Sequence, residues 1–311
     1  MAVATLRYHE TPPPEFRGGV VTVGNFDGVH EGHKALIAAA REMAGAGGKV
    51  VPVTFDPHPL QVLTPAKYQP PLTTVAERAK LLHGIGADHV VVLQTTPELL
   101  ALSAEYFFET IIQQALDARG MAEGFNFHFG KDREGDNALL RLLGGATGIP
   151  FREAPAFELN GETVSSSRVR EALMAGDLER ATNLLGRRHR ISGTVVEGAK
   201  RGRTLGWPTA NLGNVATLLP VNGVYAVRVW LDGKPQMGAA NIGPNPTFGQ
   251  NARKVEVHVI NFTGDLYGQT MDVDFVGRLR ATQKFSSVDA LLGQMTLDIQ
   301  RAKVLLSAEN Q

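Results

Sequence analysis

The sequence predicts two domains of different class: a Rossmann-like, doubly wound α/β domain, then a small antiparallel β-barrel or sandwich ending in one long helix. Three observations carry this. The chain has 311 residues, about twice the length of a typical domain. Strands alternate with helices up to about residue 186, after which short strands sit between glycine turns. Finally, 31 Lys+Arg against 31 Asp+Glu give a formal net charge of zero that hides a split. Residues 1–186 hold 16 basic and 22 acidic side chains, a net −6, and residues 187–311 hold 15 and 9, a net +6. The expected border therefore falls between 186 and 187.

In chain order, the apolar Val20 to Val23 reads as a buried strand and the alanine-rich Lys34 to Ala44 as a helix. Lys49 to Phe55 is the next strand. A proline-punctuated loop, Pro57 to Pro71, leads to a helix opened by the capping box Thr74-x-x-Glu77, then to the strand His89 to Leu93. A helix over Ala104 to Ala118, a strand at Met121 to Glu123 and a helix over Asn137 to Thr147 continue the alternation. Asn160-Gly161 reads as a tight hairpin turn, and short helices at Val169 to Ala175 and Leu178 to Leu185 end the segment. Beyond it come strands at Ile191 to Glu197, Val224 to Leu231, Gln236 to Asn241, Val255 to Ile260 and Met271 to Phe275, with Asp232-Gly233 as a hairpin signal. Val288 to Leu305 is amphipathic and reads as the closing helix.

Composition excludes several classes. With no cysteine, the chain has no disulfide, thiolate zinc site, iron–sulfur cluster or cysteine nucleophile. Neutral total charge argues against a surface that grips nucleic acid all over. No apolar run approaches the roughly 18–20 residues needed to cross a bilayer, and Met1 to Glu10 lacks the pattern of a secretion signal. A cytoplasmic protein with neither membrane nor nucleic-acid partner is expected. The opposite charges of the two halves also suggest mutual attraction, within one chain or head to tail between copies. Neither a Gly-x-x-x-x-Gly-Lys-Ser/Thr loop nor a Gly-x-Ser-x-Gly elbow is present.

The segment Gly24-Asn25-Phe26-Asp27-Gly28-Val29-His30-Glu31-Gly32-His33 stands where a buried strand hands over to a helix. Doubly wound sheets bind ligands at such junctions. Glycines allow close backbone approach, the helix start offers N–H groups to phosphate oxygens, and His30 and His33 can point the same way. Two other readings remain: surface histidines at a helix start, and a His-x-x-His metal site completed by Asp56 or His58 from Phe55-Asp56-Pro57-His58-Pro59.

With His30, Gly32 and His33, the chain resembles the nucleotidyltransferases that use a His-x-Gly-His motif. The longer string Gly24 to His33 resembles the adenylyltransferase module of bacterial bifunctional riboflavin kinase/FAD synthetases. Phe55 to Pro59, Gly124-Phe125-Asn126-Phe127-His128-Phe129-Gly130 and Val164-Ser165-Ser166-Ser167-Arg168-Val169-Arg170 continue the match in order, with Ser167 where the family usually has threonine. The resemblance implies that Gly24, Asn25, Phe26, Asp27, His30, His33, His58, Asn126, Ser166, Ser167 and Arg170 bind ATP and its phosphates, His30 and His33 being catalytic. Ser165 to Ser167 taken bare would be a helix cap, and Arg170 a solvated charge.

Strand, basic glycine-rich turn and Pro-Thr-Ala-Asn follow each other in Gly193 to Asn211. Such a run suits a nucleotide site, with backbone N–H groups and Lys/Arg near phosphates and hydroxyl and amide oxygens for Mg²⁺. Alone, the basic residues at 187, 188, 190, 200, 201 and 203 would equally suit a nucleic-acid patch or a solvated rim. Yet Gly202-Arg203-x-Leu205-Gly206-Trp207-Pro208-Thr209-Ala210-Asn211 resembles the signature of riboflavin kinases, with Trp207 where phenylalanine is commoner. Asn241-Ile242-Gly243-x-x-Pro246-Thr247-Phe248, Val255-Glu256-Val257-His258, Tyr267-Gly268 and Leu279-Arg280 followed by Phe285 continue it, and Asn245 stands where many members have a basic residue. In all, the resemblance runs from about Val20 to Lys303.

That resemblance implies a bifunctional enzyme of flavin cofactor synthesis, phosphorylating riboflavin to FMN with MgATP and adenylylating FMN to FAD with release of pyrophosphate. Thr209 and Asn211 would hold Mg²⁺, and Glu256 would be the kinase's general base. Gly198, Lys200, Gly202, Arg203, Gly206, Pro208, Asn241 and Arg280 would join them in binding ATP or flavin. Period-2 alternation puts His258 on the face of Glu256, in a structural role.

Overall fold

The computed structural model describes residues 2–198, 206–245 and 250–308. It divides into two compact units, Met1–Gln69 with Thr73–Ser165, and Pro70–Leu72 with Ser166–Gln311. Lys200, Gly202 and Arg203, and with them Pro246, Thr247 and Phe248, lie outside the described residues.

The first unit runs β1 (Ala2–Leu6), β2 (Val20–Val23), α1 (Glu31–Ala44), β3 (Val50–Asp56), α2 (Pro59–Leu63), α3 (Val75–Gly84), β4 (His89–Gln94), α4 (Pro97–Leu100) and α5 (Ala104–Phe107). After α5 come β5 (Gly120–Gly124), β6 (His128–Phe129), β7 (Gly135–Asp136), α6 (Asn137–Thr147), β8 (Phe151–Ala154), β9 (Glu158–Leu159) and β10 (Glu162–Thr163). Six strands form one sheet in the order β1-β4-β3-β2-β5-β8, parallel at every pairing. Because both faces are covered, the central strands are largely apolar: Val20, Val21 and Val23 of β2 and Val50, Val51 and Val53 of β3 are buried. On one face Ile37 and Ala40 of α1 pack with Val20, Val50, Val90 and Ala122; on the other Phe107, Ile111, Ile112 and Leu140 pack with Val21, Val51 and Val91.

Several boundaries differ from the sequence reading for identifiable reasons. Helix α1 starts at Glu31, not Lys34, because His30 caps it with its side chain. After α5 the chain continues as a π-helix, Phe108–Ala115, and stops short of Ala118, where the Ala118 N–H bonds back to the Ile112 carbonyl and Asp117 turns left-handed at φ 46°. Strands β1 and β8 were not expected. Both are sheet edges, short and half polar in burial, so neither carries the apolar run of a central strand. Asn160-Gly161 does make the β9–β10 hairpin, with both residues at positive φ.

The second unit holds α7 (Ser166–Ala175), α8 (Leu178–Leu185), β11 (Arg190–Val196), β12 (Ala210–Gly213), β13 (Gly223–Leu231), β14 (Lys234–Asn245), β15 (Gln250–Val259), β16 (Thr270–Arg280) and α9 (Val288–Ala308). The two short helices thus group with the strands that follow them. Of barrel and sandwich, the fold is the barrel, closed in the order β11-β12-β15-β14-β13-β16 with every pairing antiparallel. Asp232-Gly233, both at positive φ, make the β13–β14 turn between the paired Leu231 and Lys234. Helix α9 buries Ile299, Ala302 and Leu306 against the small residues Ala226 and Ala239 of neighbouring strands, which let the helix approach closely.

Candidate active sites

Strand order reverses between β2 and β5: the chain moves outward on one side through β3 and β4 and on the other through β5 and β8. A doubly wound sheet opens its ligand crevice at that point, beyond the carboxyl ends of the strands, and the Gly24–His33 loop leaves β2 there. Its path is coiled, with φ of 46° at Phe26, 84° at Gly28 and 41° at Val29. Two such non-glycine residues close together need support from around them. Thr73 supplies it, its hydroxyl accepting from the Gly28 N–H at 3.1 Å and its N–H donating to Asp27 Oδ1 at 3.2 Å. Buried Arg78 lies 3.9 Å from Asp27 and donates to the Thr54 hydroxyl at 2.9 Å, which in turn donates to the Asn25 carbonyl at 3.0 Å. Burial pushes the Arg78 guanidinium below its ordinary value, against the pull of Asp27 and Asp56. Asp27 is thus a brace inside the loop.

Next to this brace stand the two histidines. His30 Nδ1 accepts from the His33 N–H and His33 Nδ1 from the His30 N–H, each at 3.3 Å, a reciprocal capping box made of histidines. Their rings stack with centroids 3.6 Å apart and planes 14° apart. Since both Nδ1 atoms act as acceptors, the assigned tautomer of each neutral ring carries its proton on Nε2. A Cβ on Gly32 would lie 3.2 Å from the His30 ring and 3.4 Å from the Val164 carbonyl, so glycine leaves the ring room to fold over the helix start. Phe26 packs its ring against His33 at 5.1 Å.

His58 repeats the device, capping α2 with Nδ1 toward the Leu60 N–H at 3.1 Å. Asn126 follows the end of β5 in a turn closed by Phe127 N–H to Gly124 carbonyl at 3.1 Å and braced by Asn137 Nδ2 on the same carbonyl at 3.0 Å. The Asn25 Oδ1 atom is buried without a partner in the structure. Among the described residues no three His, Asp or Glu gather where they could hold a metal ion. In the second unit Ser166 and Ser167 open α7, and Arg170 donates to the Pro70 carbonyl at 2.6 Å.

Sequence reasoning missed Glu123. Its side chain is buried at the end of β5, Oε1 accepting the Val23 N–H at 2.6 Å and Oε2 the Thr22 hydroxyl at 3.4 Å. Burial pushes its carboxyl well above the usual carboxylate range. A lone glutamate in a five-residue strand gives no signal of this.

Across the barrel, register lines up residues far apart in sequence. Asn211 faces Glu256, Glu256 faces Asn241, Asn241 faces Val224, and Val224 faces Arg280. Directly opposed residues present their side chains to the same side, so the four polar ones share a row. Arg280 is also held: Nε and Nη2 bind buried Asp298 of α9 at 2.9 and 2.8 Å, and Nη1 donates to the Ala281 carbonyl. Two residues along β15 from Glu256, His258 Nδ1 lies 2.8 Å from the Pro208 carbonyl and its ring stands edge-on to Trp207. Gly198 gives the Asn211 amide its space, since a Cβ there would come within 2.1 Å of Nδ2. A cavity of about 340 Å³ lies between Pro208, Thr209 and Ala210, the strand residues Val195 and Val257, and the Phe262–Tyr267 turn.

Similarity to known proteins falls on two modules. A family model described as FAD synthetase matches residues 13–168, and one described as riboflavin kinase matches residues 185–306. The bifunctional riboflavin kinase/FMN adenylyltransferase of Pseudomonas fluorescens is 42% identical over 296 residues, 94% of each chain. That of Escherichia coli K12 is 38% identical over 283 residues, 90% of each. A solved chain from Streptococcus pneumoniae, described as a macrolide-efflux protein, superposes with a TM-score of 0.87 at 31% identity, covering 97% of this chain and 99% of that one. With the two family models in tandem and relatives 42% and 38% identical over at least 90% of the chain, the chain belongs to the bifunctional riboflavin kinase/FMN adenylyltransferase family, its FAD synthetase module first and its riboflavin kinase module second.

Proposed function

We propose that FMN adenylylation is carried out at the Gly24–His33 loop and riboflavin phosphorylation along the Asn211–Glu256–Asn241 row, with the functional border near Gly186. The reciprocally capped, stacked pair of His30 and His33 at the sheet's switch point carries the first assignment. An oxygen of the FMN phosphate, already anionic, attacks the α-phosphorus of ATP as the bond to pyrophosphate breaks, so no general base is needed. What the site must supply is alignment and charge stabilisation, here from the imidazole N–H donors and the N–H groups of α1. Asn25 with its unpartnered Oδ1, Phe26, His58, Asn126, Ser166, Ser167 and Arg170 complete the binding set in this reading.

For the kinase, the observation is the row itself. The ribityl 5′-hydroxyl is neutral and a poor nucleophile, so Glu256 accepts its proton as the oxygen attacks the γ-phosphorus and ADP departs. Pro208 and Thr209 line the cavity that receives the nucleotide. The Thr209 hydroxyl and the Asn211 amide oxygen are the hard-oxygen donors that would hold Mg²⁺. When bound, the ion supplies charge neutralisation between the phosphates. Gly198, Lys200, Gly202, Arg203 and Gly206 belong to the same nucleotide set, and Asn241 and Arg280 to the flavin side. Flavins and ATP are the only partners this reading requires, in a cytoplasmic setting. Riboflavin, ATP and Mg²⁺ given to the purified chain should yield FMN and then FAD. Neither product forming overturns the reading, as does FAD synthesis surviving loss of both histidines.

A further inference from the structure

Strands β2 and β5 part company before their ends. Val20 pairs with Gly120 and Val21 with Met121, and the ladder then stops, although β2 runs on to Val23 and β5 to Gly124. Parting is needed at a switch point, but it strips the last residues of β2 of main-chain partners on that side, and a buried N–H without an acceptor is destabilising. Glu123 fills the gap. Its Oε1 replaces the missing carbonyl for the Val23 N–H, at 2.6 Å, and Oε2 takes the Thr22 hydroxyl at 3.4 Å. On the other side of the same turn, the Gly24 N–H is held by the Val53 carbonyl at 3.0 Å. Where it leaves β2, the Gly24–His33 loop is therefore anchored at two points, one on β3 and one on a side chain.

We propose that Glu123 is a positioning residue for FMN adenylylation: its carboxyl, wedged between β2 and β5, fixes the end of β2 and so the loop that carries His30 and His33. This rests on the assignment of adenylylation to that loop.

Charge state follows from the surroundings. Charged groups on the elements packed against β5 are engaged elsewhere. On β8, Glu153, opposite Glu123 in register, pairs with Arg141 of α6, and Arg152 pairs with Glu42 of α1. Also on α1, Glu31 pairs with Lys34 and Arg41 with Asp88, while His30 and His33 bind each other's backbone. With no cation acting on it among the described residues, burial pushes the Glu123 carboxyl well above its ordinary range and favours its protonated form. A proton-bearing carboxyl and a carboxamide have the same shape and the same acceptor toward Val23, which makes glutamine the faithful mimic and alanine the disruptive change.

Both activities of the full-length chain provide the test. Glu123→Gln should keep conversion of FMN to FAD within about threefold of the parent at pH 7 and should flatten its decline toward alkaline pH. Glu123→Ala should lower kcat for that step by tenfold or more, with riboflavin phosphorylation unchanged in the same sample. The proposal is overturned if the alanine variant makes FAD at the parental rate, if the glutamine variant is as impaired as alanine at pH 7, or if either loses kinase activity in parallel. His30→Ala run alongside separates the two levels. Should it leave FAD synthesis intact, the site assignment fails; should it abolish FAD synthesis while Glu123→Ala does not, only the role of Glu123 fails.

Discussion

The rings of His30 and His33 are held face to face at 3.6 Å by their own backbones, each Nδ1 accepting the other residue's N–H. This geometry gives the pair one orientation and one tautomer before any ligand arrives, and preorganised donors account for about 10²–10³ in rate when they face developing charge. His30→Ala or His33→Ala should therefore depress FAD formation from FMN and ATP by at least 100-fold. Riboflavin phosphorylation, assayed in the same preparation, should hold within twofold; a parallel fall would show that the histidines serve the fold.

Gly32→Ala isolates ring placement from fold stability. Alanine inside a helix is favoured over glycine by about 1 kcal/mol, so the thermal midpoint of the first unit should stay level or rise. The added Cβ would nevertheless lie 3.2 Å from the His30 ring and push it off His33. FAD synthesis should fall by roughly tenfold without loss of stability, and this opposition of signs is the result to look for.

In the barrel, the prediction falls on Glu256, which faces Asn211 on one side and Asn241 on the other. Glu256→Gln keeps size and hydrogen bonding but removes the proton acceptor, and general-base contributions run to about 10²–10⁴. FMN formation from riboflavin should drop by that factor, while supplied FMN is converted to FAD at the parental rate. Measuring both steps by product chromatography checks the assignment.

How much of this was legible beforehand depended on range. The Gly24–His33 junction is local: apolar strand, glycines, histidines and helix follow each other within fourteen residues, so the site could be read from order alone. The Asn211–Glu256–Asn241 row is not local. Its members were visible as motifs, but their adjacency depends on strand register, and β12 itself, four residues long, escaped notice. Edge strands β1 and β8 escaped because an edge needs no continuous apolar run. Glu123 escaped most completely. Its role comes from the early end of the β2–β5 ladder, and sequence reports neighbours along the chain, not gaps in a sheet.

Barrel stability should depend on a part-buried cluster beside the β11–β16 and β13–β16 pairings. Asp274 accepts both Nε and Nη2 of Arg190, at 2.6 and 2.8 Å, and the Trp230 indole N–H at 2.7 Å, while the guanidinium lies over the indole ring at 5.2 Å. Arg190 is part-exposed and keeps Asp272 at 3.7 Å, so losing Asp274 removes charge-assisted hydrogen bonds worth about 1.5–3 kcal/mol without stranding the guanidinium. Asp274→Ala should lower barrel stability by about that amount, read as a drop in denaturant midpoint, with a far smaller effect from Arg141→Ala in the exposed pair with Glu153.

Glu123 also gives the stability of the first unit a definite pH dependence. In the unfolded chain its carboxyl titrates near the ordinary value of 4.5, whereas in the folded chain burial raises it well above that. Between the two values the unfolded state is ionised and the folded state still holds its proton, so the folded state binds more protons. Stability from this group is thus fully present below about 4.5 and is lost as pH rises toward the folded value. Glu123→Gln does not ionise in either state, so it should be more stable than the parent at pH 8 and lose that advantage on acidification to pH 4. Denaturant melts of both proteins at the two pH values check the sign: an advantage growing toward acid would mean that the native carboxyl is ionised in its gap between β2 and β5.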